Sequence, residues 1–124
     1  MASSTRAAKL AAEQALGSLS GLTLQTASEL FAVANALHQS AQLRSLLTDP
    51  SAAVEGKEKV IRSVFGAKLS DVALNLTITL AKQRWSATRD IAKVAEQLAV
   101  RIVASVSSDI DELQEELFGL QQVI

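Results

Sequence analysis

Cysteine and tyrosine are absent from this chain of 124 residues, which has one proline, one tryptophan and one histidine. Without cysteine there is no disulfide framework, no thiolate-ligated zinc or iron–sulfur centre and no thiol nucleophile. The single His38 supplies no histidine metal cage and argues against a Ser-His-Asp triad. Charge of one sign is missing too: 12 Lys and Arg face 13 Asp and Glu, for a net charge of −1. That removes the bulk electrostatic drive toward nucleic acid. Lys68 and Asp71 interrupt the most apolar stretch, 64–81, so no segment reads as a membrane span. Residues 1–6 show neither an apolar signal region nor an Arg-rich amphipathic leader. The five glycines (17, 21, 56, 66 and 119) are scattered, so no loop reads as a phosphate cradle.

What is abundant is alanine, with 21 residues, and leucine, with 18, while aromatics make up 3%. That balance favours helix over strand. A soluble all-α domain is expected, with no cofactor, no metal and no small-molecule substrate.

The near-neutral total hides two segments of opposite sign. Residues 1–108 hold all 12 bases and 8 acids, a net +4. Residues 109–124 hold five acids (Asp109, Asp111, Glu112, Glu115, Glu116) and no base, a net −5. These acids do not follow the spacing of an EF-hand loop and fall on a helical face, so they read as a solvated surface.

Periodicity and capping signals predict seven helices. The first spans 3–16, with Ser3 or Ser4 as N-cap and Gly17 as the stop. Its alanines (7, 8, 11, 12, 15) suit either a crowded interface or simple helix propensity. The second spans 22–38 and carries the stripe Ala27, Leu30, Phe31, Ala34, Leu37, His38. His38 ends that stripe as a core-edge or dipole-interacting side chain. Ser40 caps a short helix to Leu47, with Leu43, Leu46 and Leu47 facing inward, and Thr48-Asp49-Pro50-Ser51 breaks it.

A fourth helix covers 53–65, where Lys57 edges an apolar face of Val60, Ile61, Val64 and Phe65, and Gly66 occupies the C′ position. Ser70 caps a fifth helix through Arg84, with Asp71 near its positive dipole end. The fifth helix has two apolar faces, one of Val72, Leu76 and Leu80, the other of Leu74, Ile78 and Ala81. Such a helix is buried in a bundle or offers one face to a partner. Trp85 plugs the next junction, and Arg84, Arg89 and Lys93 around it lack the further aromatics of a stacking surface. A sixth helix covers 88–106, with Ile91, Val94, Ala95, Leu98 and Ile102 on the core side. Ser108 and Asp111 form a capping-box pattern before a final acidic helix. Its seam (Ile110, Leu113, Leu117, Leu120, Ile124) packs intramolecularly or pairs with another chain.

Glu-Leu-Phe at 29–31 recurs at 116–118, with further apolar matches such as Val33 with Leu120 and Leu37 with Ile124. The echo is either a chance likeness between two amphipathic helices or the sign that residues 109–124 open a second copy of the helical unit. No catalytic constellation is present, and the residues by themselves indicate a helical bundle that works by protein–protein contact.

One ordered set of motifs goes further. Leu43-Arg44-Ser45-Leu46-Leu47-Thr48-Asp49-Pro50 is followed by Lys57, Val60-Ile61 and Val64-Phe65-Gly66. Then come Leu69-Ser70, an apolar helix ending in Leu80-Ala81, Arg84, and the long helix from Arg89. Over residues 5–106 this order resembles the N-terminal domain of the delta subunit of F-type ATP synthase, counterpart of the oligomycin-sensitivity-conferring protein. The segments 46–51, Arg84-Trp85-Ser86 and Arg89-Asp90 look most like the actinobacterial branch, with its duplicated helical region.

The resemblance implies a six-helix bundle over 1–106 followed by one extra helix over 107–124. It implies a non-catalytic stator domain of the peripheral stalk, peripheral at the cytoplasmic face of the bacterial plasma membrane. Its partner would be the N-terminal helix of an alpha subunit, held between the first and fifth helices. By position, the expected contacts are Ala7, Leu10 and Gln14 with Asn75, Ile78, Thr79 and Lys82. The part that meets the b subunit of the stalk would be missing, which makes the chain a piece of a longer subunit. The competing expectation is a generic helical adaptor that binds another amphipathic helix.

Overall fold

The computed structural model describes the backbone of residues 3–123 and the side chains of residues 3–107. Every regular element among them is a helix: α1 (Ser3–Gly17), α2 (Leu24–Gln39), α3 (Ala41–Thr48), α4 (Val54–Phe65), α5 (Asp71–Lys82) and α6 (Asp90–Val123). The starts follow local chemistry. Thr23, Ser40 and Ser70 each accept a hydrogen bond from the backbone N–H three residues on, at 3.3, 3.1 and 3.4 Å. These bonds satisfy donors that a helix start leaves orphaned. After α3 the Asp49 carboxylate accepts from the Ser51 hydroxyl at 2.7 Å and its N–H at 2.9 Å. Those bonds hold Asp49 below its usual pKa and, with Pro50, turn the chain.

Two helix ends differ from expectation. Gly66 is not left-handed but stays in the right-handed helical region, at φ −55°. Glycine is required there for another reason: a Cβ would run into the backbone carbonyl of Arg62. The break expected after Val106 is also missing, because α6 continues from Asp90 to Val123. Ser107 and Ser108 bring neither glycine nor proline, and no non-glycine residue among those described has a positive φ. A capping-box pattern permits a helix start without forcing the preceding turn to unwind. The apolar seam from Ile110 to Ile124 lies outside the residues whose side chains are described.

The core is built on the packing of α2 along α6, with α5 closing against α1, α2 and α4. Leu30, Val33 and Leu37 of α2 and Val94 and Ile102 of α6 are fully buried, and Ile91 and Leu98 are 1% exposed. Alanines 27, 34, 92, 95 and 99 lie in the same core and let the two backbones approach closely. The stripe predicted on α2 is rotated. Val33 takes the inner position, while Phe31 is 38% exposed and His38 stands on the surface. Helix spacing alone leaves the stripe's centre undecided by one residue, and the packing of α2 along α6 decides it. Leu46 and Val64, expected inside, are likewise exposed, and Lys57, expected at an edge, is 6% exposed.

Polar side chains tie the helices at their ends. Lys57 Nζ donates to the Ala81 carbonyl at 3.1 Å, satisfying an acceptor in the last turn of α5. Burial pushes its pKa down, opposed by Asp49. Arg44 Nη1 donates to the carbonyls of Leu37 and His38 at 2.7 and 2.8 Å, closing the end of α2. Trp85 Nε1 donates to the Leu80 carbonyl at 2.9 Å, so the tryptophan does fill the α5–α6 junction.

Glu29, 8% exposed, accepts from both the N–H and the hydroxyl of Ser70 at 2.8 Å, and from Gln25 at 3.2 Å. Burial by itself raises the Glu29 pKa, but these bonds outweigh it and hold the carboxyl below its ordinary 4.5. The sign follows from linkage. Below its folded pKa the group is protonated in both states, so its contribution is complete above pH 4.5 and disappears as pH falls through the lower folded value. Glu29→Gln is expected to cost about 1–3 kcal/mol at neutral pH and to approach wild type in acid. Urea unfolding of both proteins at pH 7 and pH 3 checks this; a pH-independent gap would count against it.

Candidate functional site

The expected contact residues lie on α1 and α5, which run antiparallel. Thr5 and Ser86 bond to one another where α1 starts and α5 has just ended. At the other end Ala15, Ser18 and Leu19 meet Val72, Asn75, Leu76 and Thr79 around a cavity of about 220 Å³. Thr5, Ala8, Ala12 and Leu16 form the inward face of α1, and small residues at 8 and 12 permit its close approach to its neighbours. The cavity has an apolar floor, a rim of one amide and two hydroxyls, and no charged lining residue. It suits an amphipathic helix better than a polar small molecule.

The seven expected residues divide. Asn75 and Thr79 line this groove. Ala7, Leu10 and Gln14 are exposed on the outer side of α1, Leu10 at 56%, with Gln14 one turn before Ser18. Ile78 is a core residue at 5% exposure. Lys82 is exposed and reaches Glu58 of α4 at 4.0 Å. Both apolar faces of α5 are largely buried; Val72, half-buried, remains at the groove. Ala15, Ser18, Leu19, Val72 and Leu76 were not among the expected contacts. The Ala7–Ala11–Ala15 ladder, continued past Gly17, pointed to the first three, and the Val72–Leu76 face to the others.

Between α1 and α6, Lys9, Glu13, Glu96, Gln97, Val100 and Arg101 border a cavity of about 450 Å³. Glu13 is paired there with Arg101 at 3.1 Å and Lys9 at 3.8 Å. His38 stands 3.5 Å from Glu96, both about half exposed, an open surface pair. Between α2, α3 and α4, Ala36, Leu43, Leu46 and Val64, with Gln39, Ser40 and Gln42, line a valley of about 620 Å³. Among the described residues no three His, Asp or Glu side chains gather as a metal site, and no helix is long and apolar enough to cross a membrane.

The sequence profile of the ATP synthase delta (OSCP) subunit family matches residues 8–116. The chain belongs to that family. Its relatives include the ATP synthase subunit delta of Leifsonia xyli subsp. xyli, 37% identical over 120 residues, covering 96% of this chain and 45% of that protein. That of Kineococcus radiotolerans is 36% identical over 103 residues, covering 81% and 37%. That of Streptomyces avermitilis is 32% identical over 127 residues, covering 97% and 46%. These sources are actinobacterial, as the local motifs suggested. The chain spans less than half the length of each of these relatives.

Proposed function

We propose that this bundle is a non-catalytic stator domain of an F-type ATP synthase. It holds the N-terminal helix of an alpha subunit in the α1–α5 groove, linking the catalytic head to the peripheral stalk while the rotor turns. The observation that carries this is the uncharged, apolar-floored cleft between Ala15, Ser18 and Leu19 and Val72, Asn75, Leu76 and Thr79, in a member of the delta (OSCP) family. The role is mechanical, so affinity and geometry matter and acid–base chemistry does not. Such a domain works as a peripheral component at the cytoplasmic face of the plasma membrane. In the longer subunit, residues 1–106 form the bundle, residues 107–124 open a second helical repeat, and a further part meets the b subunit.

Titration of the isotope-labelled chain with an alpha-subunit N-terminal peptide is the test. Amide shifts are expected at Ala15–Leu19 and Val72–Thr79. Leu19→Glu, which places a charge at the rim, is expected to weaken binding at least about tenfold, roughly 1.4 kcal/mol, without changing the helical spectrum. Shifts confined to the Leu43–Leu46–Val64 valley, or none at high peptide excess, would overturn the proposal. The valley result would favour a general adaptor of amphipathic helices.

A further inference from the structure

The groove has two unlike ends. From Asp71 to Lys82 helix α5 runs for about 17 Å at 1.5 Å per residue, and the groove lining between carries no charge. Lys82 and Arg84 are exposed at the end where Ser86 bonds to Thr5, and Arg6 follows directly on α1. Lys82 pairs with Glu58 at 4.0 Å, with half its side chain in solvent; the Asp90 carboxylate at this end is 9% exposed and taken up by the Thr5 hydroxyl. At the opposite end Asp71 is exposed, but Lys68 stands three residues before it, so the two charges offset. Nearby Glu29 is buried and occupied by Ser70, and Glu13 pairs with Arg101 and Lys9. One end of the groove is therefore cationic and the other close to neutral.

Resting on the groove assignment above, we infer that this asymmetry sets the direction of the bound helix. The occupant lies parallel to α1, with an acidic first turn over Lys82 and Arg84. Helices commonly carry Asp or Glu in their first turn. Two such carboxylates outweigh the half positive charge of the helix dipole, so the start of the helix is drawn to the cationic end. The floor supplies contact area without preferring either direction, which leaves orientation to the end charges.

The chain, isotope-labelled, is mixed with an alpha-subunit N-terminal peptide carrying a nitroxide at its first or its last residue. The label at the first residue is expected to broaden the amides of Thr5–Ala7 and Lys82–Ser86. The label at the last residue should broaden Ser18, Leu19 and Val72. The reverse pattern overturns the direction while leaving the groove assignment intact. Broadening at neither end overturns both. Lys82→Glu combined with Arg84→Glu is expected to weaken the unlabelled peptide about tenfold at low salt, with most of that difference lost near about 0.5 M salt. An unchanged Kd would overturn the electrostatic origin.

Discussion

Leu98→Ala is expected to destabilise the bundle by about 3–5 kcal/mol, toward the upper part of the range for buried leucines. Leu98 is 1% exposed in the middle of the core face of α6. Much of the surrounding α2–α6 core is alanine, at 27, 34, 92, 95 and 99, and alanine has no rotamer with which to fill a void. Among the described residues Phe65 is the one aromatic inside the core cluster, with Trp85 packed against its edge, so few large rings can shift either. The hole would stay open, and its cost adds to the lost transfer energy. For a domain with about 5–15 kcal/mol in total, that is a large fraction. Urea unfolding followed by circular dichroism measures it. Val100→Ala, at a position on the same helix that is 53% exposed, should change stability by no more than about 0.5 kcal/mol. Similar small effects at both positions would show that the core face of α6 is misassigned.

Thr5→Val is expected to cost about 2–3 kcal/mol although it changes volume little. Thr5 is fully buried. Its hydroxyl donates to Asp90 Oδ2 at 2.8 Å and accepts from the Ser86 N–H at 2.9 Å. Its own N–H, orphaned at the start of α1, donates to Ser86 Oγ at 3.2 Å. Valine removes the donor to a carboxylate that is 9% exposed and the acceptor of a backbone N–H. Leaving such groups unpaired costs about 1–3 kcal/mol, more where one is charged. Thr5→Ser keeps the hydroxyl and should recover most of the loss. A serine variant as unstable as the valine variant would assign the effect to the methyl group instead. Because this clasp closes one end of the α1–α5 groove, hydrogen exchange at the start of α1 should rise in Thr5→Val before the rest of the bundle loosens.

These clasps mark the boundary between local and tertiary information. Ser40 and Ser70 were readable as caps because a cap bonds three residues along its own chain. The partner of Thr5 lies 81 residues away at Ser86, and that of Ser70 lies 41 away at Glu29. No spacing rule reaches so far. Lys57 is expected at the edge of its helix's apolar face because lysine is rarely buried, and the approach of the α5 end gives its ammonium a carbonyl to hold. Of the residues that line the cavity, Asn75 and Thr79 are among those expected by position on α5, whereas Leu19 lies beyond the glycine that ends α1. Of the other two residues expected on α5, Ile78 went to the core and Lys82 reaches Glu58 of α4.

The sequence by itself determined the helical character of the described residues, the caps at Ser40 and Ser70, the inward face of α6 and, through ordered motifs, its family. Those features depend on contacts within about four residues, where backbone geometry allows few alternatives. Tertiary structure decided which way α2 turns its stripe, that both faces of α5 are largely buried, and that α6 continues past Val106. It also decided that the cleft beside α5 has one cationic end. Each of these depends on which helices become neighbours, and burial is a property of the neighbours as much as of the residue.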